Sequence, residues 1–463
     1  MPYDHTKQYR CTIVRGKAYK DLDNLLIIYA SIVNEICPCT KDEFAKQFNI
    51  KLAAHLGSTA VEKTLSNHRT EIAGKLFGMY YGAEDGMIYC STRVNKLLED
   101  SDQPAYFKEL LLKYQFPIGM SKISTVAVQV SDGIRIRQFP FLIQLLSLAD
   151  EKKVFLSKID IGYYVLNNLD VLTCRATPTE VLNQIIKDKR VNFKREIKEA
   201  GKESSYLYQH INEQLNLLVL ANLVYYDNDL VILNKKEKRF LDVLLKIDYS
   251  TVPFNFNNYD LDDRDGRMSA EYEWDLYFSG QTNEDPEIFV TSASAIIKSQ
   301  THDIPQGKPT RSEQSTVEIG DEGEVYVFNY ECSRVKKINP RLLNRIKLLG
   351  KIRGLGYDIH SVYGEGRNAD FAKYIEVKST KRVTTPELNF LDSINLTRNE
   401  WSAAQQHKEN YHIYRLYFTN DGVKLFVIEN PFEKSETGLL SIEAIAYRLE
   451  FSQNVGVYLN EQN

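Results

Sequence analysis

No apolar run in this 463-residue chain approaches the roughly 18 residues that a membrane-spanning helix needs. The first residues, MPYDHTKQYR, lack the apolar stretch of a secretory signal. A cytoplasmic protein with no membrane association is therefore expected. Cysteine is scarce: six in so long a chain make no disulfide framework. Only Cys37 and Cys39 stand close together, and no second Cys or His pair has zinc-finger spacing. An excess of one charge is also missing, since 58 Lys and Arg against 62 Asp and Glu leave a net charge of −4. That argues against a polyanion binder acting through global charge and leaves local basic patches open. Hydrophobic content of 43% is ample for packed cores, and the length suits about two to four domains.

The N-terminal half reads as helical with short hairpins. Between Asp21 and Ile36 the residues Leu22, Leu25, Leu26, Tyr29, Ile32, Val33 and Ile36 repeat at helical spacing. A second helix starts at Thr40, and a third runs from Ser58 to Leu76. Met79 to Tyr89 then reads as strand, turn, strand. Three helices closed by a hairpin are the plan of a winged helix, whose last helix usually enters the DNA major groove. Here that helix carries Lys63, Asn67, His68 and Arg69, which suit phosphate or base-edge contacts. A plain helical domain with a solvated polar face fits the same residues. Gly133 to Pro140 alternates like a strand, with Arg135 and Arg137 on one side. Helices are expected near Phe107–Tyr114, Phe141–Ala149, Phe155–Leu166, after Thr177-Pro178, and over Ser205–Ala221. Lys187 to Lys202 is basic with one aromatic, and Leu223 to Leu233 is a second hairpin. Helix followed by hairpin thus occurs twice, without a convincing repeat.

From about 249 to 318 the chain reads as a connector. Asp260 to Gly266 has the composition of a calcium loop but neither its spacing nor its distal Glu. Residues 299–315 are polar with two prolines and read as a linker. The acidic run Asp260 to Glu287 would repel DNA and suits a cover over a cationic surface.

The most informative stretch is Gly356 to Arg382, GYDIHSVYGEGRNADFAKYIEVKSTKR. Two strands flank a turn rich in Gly and Asn. With the turn centred near Arg367, Asp358 falls opposite Glu376, and Ile359 opposite Ile375. One face then carries Asp358, Glu376 and Lys378; the other carries Tyr357, Ile359, Ile375 and Val377. A one-residue slip would set the carboxylates on the apolar side, so the pattern selects this register. Carboxylates facing each other across a hairpin stand roughly 5 Å apart at Cβ. They repel unless a cation lies between them, and a hard divalent ion such as Mg²⁺ suits that need. Lys378 projects on the same side, where it can orient a water or stabilise a transition-state charge. By themselves these residues also fit a hairpin with a solvated charged face.

G-Y-D-I, a polar turn and Y-I-E-V-K-S-T together resemble the PD-(D/E)xK nuclease core. The resemblance is closest to the variant found at the C-terminus of prokaryotic restriction and defence proteins. It extends from Glu318 to about Tyr458. Glu324, on one helical face with Glu331, matches the family's first-helix glutamate, and LTRNEW (Leu396–Trp401) matches the start of its second helix. There Thr397 and Glu400 have capping-box spacing. Asp358 lacks the preceding Pro, a common departure. The resemblance implies Mg²⁺ held by Asp358 and Glu376 with the Val377 carbonyl, Lys378 acting on the attacking water, and Glu324 in support. Arg334 to Arg353 is the most basic segment, and Lys336, Lys337, Arg341 and Arg345 suit phosphates beside the scissile bond.

The expectation is a multidomain chain. Residues 1–120 form a winged-helix-like recognition unit, 121–250 a second such helical unit, 251–317 an acidic connector and 318–463 the nuclease. That last domain is an α/β PD-(D/E)xK restriction-endonuclease-like core, a mixed sheet flanked by helices. The function expected is a metal-dependent DNA endonuclease of restriction or phage-defence type. Its partners are double-stranded DNA and, because two strands need two sites, a second copy in a homodimer; a partner methyltransferase is left open. A DNA-binding regulator or assembly subunit with an inactive nuclease fold, or a repair or junction nuclease, are the alternatives.

Overall fold

The computed structural model describes residues 8–14, 18–56, 61–195, 197, 204–279, 318–352, 355–387 and 390–442, with backbone alone at 204–207, 318 and 367. The expected linker at 299–315, the basic residues 198–202 and the chain from 443 onward lie outside them.

Helices of the N-terminal half follow their apolar spacing. Tyr19–Ile36 buries Leu22, Leu25, Leu26, Tyr29, Ile32 and Val33 along one face. Lys41–Leu56 buries Phe44, Phe48 and Leu52. Glu62–Asn67 continues into a wider-wound segment, His68–Leu76. Strands β1 (Cys39–Thr40), β2 (Tyr80–Gly82) and β3 (Met87–Cys90) close these helices with a sheet ordered β1-β3-β2. Further on, Pro178–Arg190 starts from a capping box of Thr177 and Glu180. Ser204–Leu220 leads into the hairpin β4 (Val224–Asp227) and β5 (Leu230–Leu233).

Several expectations change here. The boundary at 120 does not divide the interior. The helix Gln103–Lys113 is buried on nearly every side, and a single core runs from Cys11 to Phe278 around it. The connector expected from 251 is also core as far as 279: Phe254, Phe256, Trp274 and Phe278 are buried in that cluster. Trp274 lies so close to Gly119 that an added Cβ would come within 2.2 Å of the ring. The Asn and Asp residues that suggest a loop serve local turns. Asp260 Oδ1 accepts from the amides of Asp262 and Asp263, and Asp263 Oδ2 from those of Asp265 and Gly266. They open the helix Arg264–Ser279, which packs on β2. That helix thus belongs to the N-terminal core, and 280–287 lie outside the described residues. The strand expected over Gly133–Pro140 is reduced to one bridge, Phe116 with Ile136. A buried helix, Gln138–Glu151, takes over at once; so short an apolar run does not distinguish the two.

In the C-terminal half the helix Glu318–Ile338 precedes β6 (Lys347–Leu348), β7 (Ile359–Val362) and β8 (Ala372–Lys381). The helix Arg398–His407 then leads to β9 (Tyr411–Thr419) and β10 (Gly422–Glu429). They form a mixed five-stranded sheet ordered β10-β9-β8-β7-β6. β8 runs antiparallel to β7 and parallel to β9. On one face Val327 and Val335 of the first helix meet Ile359, Ile375, Val377 and Leu416. On the other, Ala403 and Ala404 meet Tyr411 and Ile413. Covered on both faces, β9 is buried at every residue. The basic segment 334–353 is not one helix: the helix ends at Ile338 and Pro340 opens a tight turn to Arg345. Strand alternation puts Tyr357 beside Ile359. Instead Gly356, at φ +77, turns the chain, and Tyr357 packs on Tyr374 (ring centroids 4.8 Å apart) on the opposite face.

Beneath the first helix, Glu331 is a fully buried hub. Its carboxylate accepts from Arg334 (3.0 and 2.7 Å), Ser361 Oγ (2.6 Å) and Tyr414 OH (2.9 Å). Lys373 Nζ in turn donates to Tyr414. The far end of β8 is seated in the N-terminal half. Lys381 N and Thr380 Oγ1 donate to the Ser101 carbonyl at 2.8 and 3.1 Å. The Arg382 guanidinium bonds Asn24 and lies 3.6 Å from Asp23. Thr384 donates twice to Asp23 Oδ2, at 3.0 and 2.6 Å, and Val383 joins the N-terminal core.

Two predictions follow from these buried charges. Glu331→Ala leaves the cations Arg334 and Lys373 without their anionic partner and should cost about 3–5 kcal/mol in denaturant unfolding. His412 is 2% exposed, and burial, aided by the Lys373 charge, pushes its imidazole from 6.5 down to about 4. Between those values the unfolded chain binds a proton that the folded chain refuses. Stability therefore falls as pH drops from 6.5 toward 4, by ~3 kcal/mol at most. Unfolding titrations of His412→Gln should show a correspondingly flatter acid limb.

Candidate active site

Pairing of Ile359 with Ile375 fixes the register of β7 and β8. Asp358, the residue before β7, then lies across from Glu376, and its amide donates to the Ile375 carbonyl at 2.9 Å. Asp358 Oδ2 accepts from Val377 N at 2.7 Å, which anchors that carboxyl to the strand bearing its partner. Glu376 is 3% exposed, and burial, reinforced by the Asp358 charge, pushes its carboxyl up to about 9. Burial also raises Asp358, against the pull of Val377 N–H and Lys378. Each carboxyl is thus held above its ordinary range. Lys378 Nζ stands 2.7 Å from Glu376 Oε1 and balances charge in the pair.

Glu324 reaches this group from the helix Glu318–Ile338. Its carboxyl is pushed up to about 7, first by burial and then by the charge of Asp358. Two glycines let it in. At Gly323 an added Cβ would fall 1.7 Å from Ser379 Oγ, so the helix lies directly on β8. At Gly350 an added Cβ would fall 2.0 Å from Glu324 Oε2. Glu331, the other acid on that helix face, belongs instead to the buried hub. Sequence reasoning reads Glu400 only as a helix cap. It is that, accepting from Thr397 N at 2.9 Å, but the same Oε2 lies 3.0 Å from Lys378 Nζ. The capping box was the visible signal; the partner becomes visible only through the sheet. Among the described residues no group of three or more His, Cys, Asp and Glu forms a ready-made metal cage. The oxygen donors here are the two carboxyls of the β7–β8 pair, with Glu324 beside them.

The residues expected to meet DNA are scattered. Lys63 and Asn67 are exposed on the helix Glu62–Asn67. The next two positions, in the segment His68–Leu76, are engaged inside the fold, which corrects their assignment. His68 is buried and hydrogen-bonds Tyr29. Arg69 donates to the Ala45 carbonyl at 3.1 Å and to Asn49 at 2.5 Å, tying two helices together. Arg135 is exposed, whereas Arg137 donates to the Leu112 carbonyl at 2.7 Å. Lys336, Lys337, Arg341 and Arg345 are all exposed around the end of the helix Glu318–Ile338, with Arg345 3.4 Å from Asp370.

With this geometry in hand, the chain can be set against known proteins. The family described as restriction endonuclease BpuJI, N-terminal, matches residues 3–274, more than half of the chain. The chain belongs to the BpuJI N-terminal restriction endonuclease family. The BpuJI-type segment ends inside the helix Arg264–Ser279, in keeping with the single core that closes there. Among solved structures, the chain is similar to the BpuJ1 endonuclease binding domain in complex with pyrene- and phenanthrene-modified DNA. Identity is 47%, the match covers 60% of this chain and 99% of that one, and the TM-score is 0.58. A second family, protein NO VEIN, C-terminal, matches residues 323–428, the span from Gly323 through β10 that holds every acidic residue of the candidate site. No curated protein matches the chain. Among the described residues no helix is long and apolar enough to cross a membrane.

Gly350→Ala should leave the fold intact, because the atom its Cβ meets is the mobile end of Glu324. Unfolding should change by less than about 1 kcal/mol. The Glu324 carboxyl, displaced from Asp358, should titrate closer to its ordinary value in carbon-detected NMR of the variant.

Proposed function

We propose that this chain is a metal-dependent DNA endonuclease of restriction type, acting in defence against foreign DNA in the cytoplasm. Its N-terminal half selects the site and its C-terminal half hydrolyses the phosphodiester. The observation that carries the reading is the joining of a BpuJI-type recognition half to a hairpin that converges Asp358, Glu376 and Lys378. The similar BpuJ1 domain is a DNA-binding module at 47% identity, which supports DNA as the partner. In the N-terminal half the order helix, β1, helix, helix, β2, β3 supports the winged-helix reading, with Lys63 and Asn67 exposed on the third helix. In the C-terminal half a helix, three antiparallel strands, a helix and a parallel strand follow the PD-(D/E)xK order.

The donor set fits Mg²⁺. That ion takes one or two carboxylates and fills its remaining positions with water and substrate oxygens. Asp358 and Glu376, with the Val377 carbonyl, would hold it, and it would supply charge neutralisation at the scissile phosphate. The residues of the chain do the rest. Lys378, on the same face of β8 as Glu376, presents an ammonium to the attacking water and to the charge developing on phosphorus. Glu324 holds a further acceptor beside Asp358. Exposed Lys336, Lys337, Arg341 and Arg345 neutralise flanking phosphates. A duplex has two strands and each chain one such site, so double-strand cutting calls for a homodimer. A cell carrying this activity must shield its own DNA, the role a partner methyltransferase would fill.

The test is cleavage of modified and unmodified plasmid DNA in Mg²⁺. Glu376→Ala and Lys378→Ala should each slow cutting by about 100-fold or more while DNA affinity in gel shifts stays within about twofold. Wild-type protein that binds DNA tightly but cuts none of these substrates would instead identify a DNA-binding subunit with an inactive nuclease fold.

A further inference from the structure

Lys378 has two carboxylate neighbours, and they come from different elements. Glu376 is on its own strand, 2.7 Å away. Glu400 is on the helix Arg398–His407, 3.0 Å away. The two acids differ in freedom. Glu376 faces Asp358, the pairing that a bound cation would use. Glu400 is fixed by its own helix: Thr397 N donates to Glu400 Oε2 at 2.9 Å, and Glu400 N donates back to Thr397 Oγ1 at 3.3 Å. Its side chain is 15% exposed and that of Lys378 22%, so the contact is largely shielded from solvent. An ammonium has three donors and no acceptor. It can therefore rest on both acids at once and can give one up.

We propose that Glu400 is a positioning residue for the nuclease site, holding Lys378 in place when Glu376 turns to a cation. This rests on the nuclease reading above. Without Glu400 the lysine has one anionic neighbour, Glu376, and stays paired with it. Lys378 then competes with the cation for the same oxygen and is drawn away from the phosphate. With Glu400 in place the lysine keeps a partner outside its own strand, and Glu376 is released. The capping box matters because it denies Glu400 other orientations: the helix start acts as the clamp that aims the carboxylate at β8.

The variants are Glu400→Gln, Lys378→Ala and the double substitution, all in the full chain. Glutamine keeps an oxygen for the Thr397 amide, so the helix start survives; a melting temperature within a few degrees of wild type checks this. Glu400→Gln should weaken Mn²⁺ binding, read by calorimetry without DNA, by about 10- to 100-fold. It should lower kcat by a similar factor and leave KM for DNA within about twofold. In the Lys378→Ala background the same change should have no further effect on kcat or on Mn²⁺ binding, because Glu400 acts through the lysine. A Glu400→Gln protein that binds Mn²⁺ and cuts like wild type overturns the positioning role and leaves the nuclease reading intact. So does a loss that simply adds to that of Lys378→Ala. A wild type that neither binds Mn²⁺ nor cuts DNA overturns the nuclease reading, and this role with it.

Discussion

Two carboxyls pressed together away from water are an unfavourable thing to fold around, and the C-terminal half is organised to hold that arrangement. Asp358 and Glu376 meet because Ile359 and Ile375 must share the apolar face beneath the first helix. The same alternation that buries the isoleucines drives the acids to the opposite face. There the protein softens the repulsion in steps. Val377 N–H anchors Asp358, and Lys378 faces Glu376. Each remedy is partial, and together they leave a site with more acid than base. That imbalance is what a divalent cation would relieve.

β8 has three jobs that its neighbours divide. Its middle carries the acid and the lysine. Its first residues pack under Glu331 through Lys373, and its last residues are seated among Asp23, Asn24 and Ser101 of the BpuJI-type half. Close packing of glycine keeps the middle precise. Gly323 lets the helix lie on Ser379, and Gly350 leaves the hollow into which Glu324 extends. The ion pairs here are buried and share members, so moving one displaces the next.

Much of this was legible in the sequence where two signals agreed. In the hairpin, apolar alternation and turn chemistry pointed to the same register, and the structure adopts it. Long helices such as Tyr19–Ile36 and Pro178–Arg190 announced themselves by spacing or by caps. What stayed hidden shares a physical cause: a residue type with an ordinary local use was employed elsewhere. Asp260 and Asp263 suggested a solvated connector, yet they cap turns whose helix delivers Trp274 to the core. His68 and Arg69 suggested an outward polar face, but they face Tyr29 and Asn49. Glu400 signalled a helix start, and only the parallel pairing of β8 with β9 brings that start to Lys378. Tyr357 broke the alternation because Gly356 bends the chain one residue too early for a strand rule to hold.

The seating of β8 in the recognition half has a meaning for ancestry and for engineering. The segment 380–384 follows the β7–β8 hairpin in the chain, yet its partners at 23–24 and 101 are N-terminal. The boundary in space and the boundary in sequence therefore do not coincide. Replacing the N-terminal half with that of another chain, joined near 280–317, would leave Arg382 facing a foreign surface. An exchange of halves keeps this contact only where Asp23, Asn24, Ser101 and the end of β8 move together, as one joint.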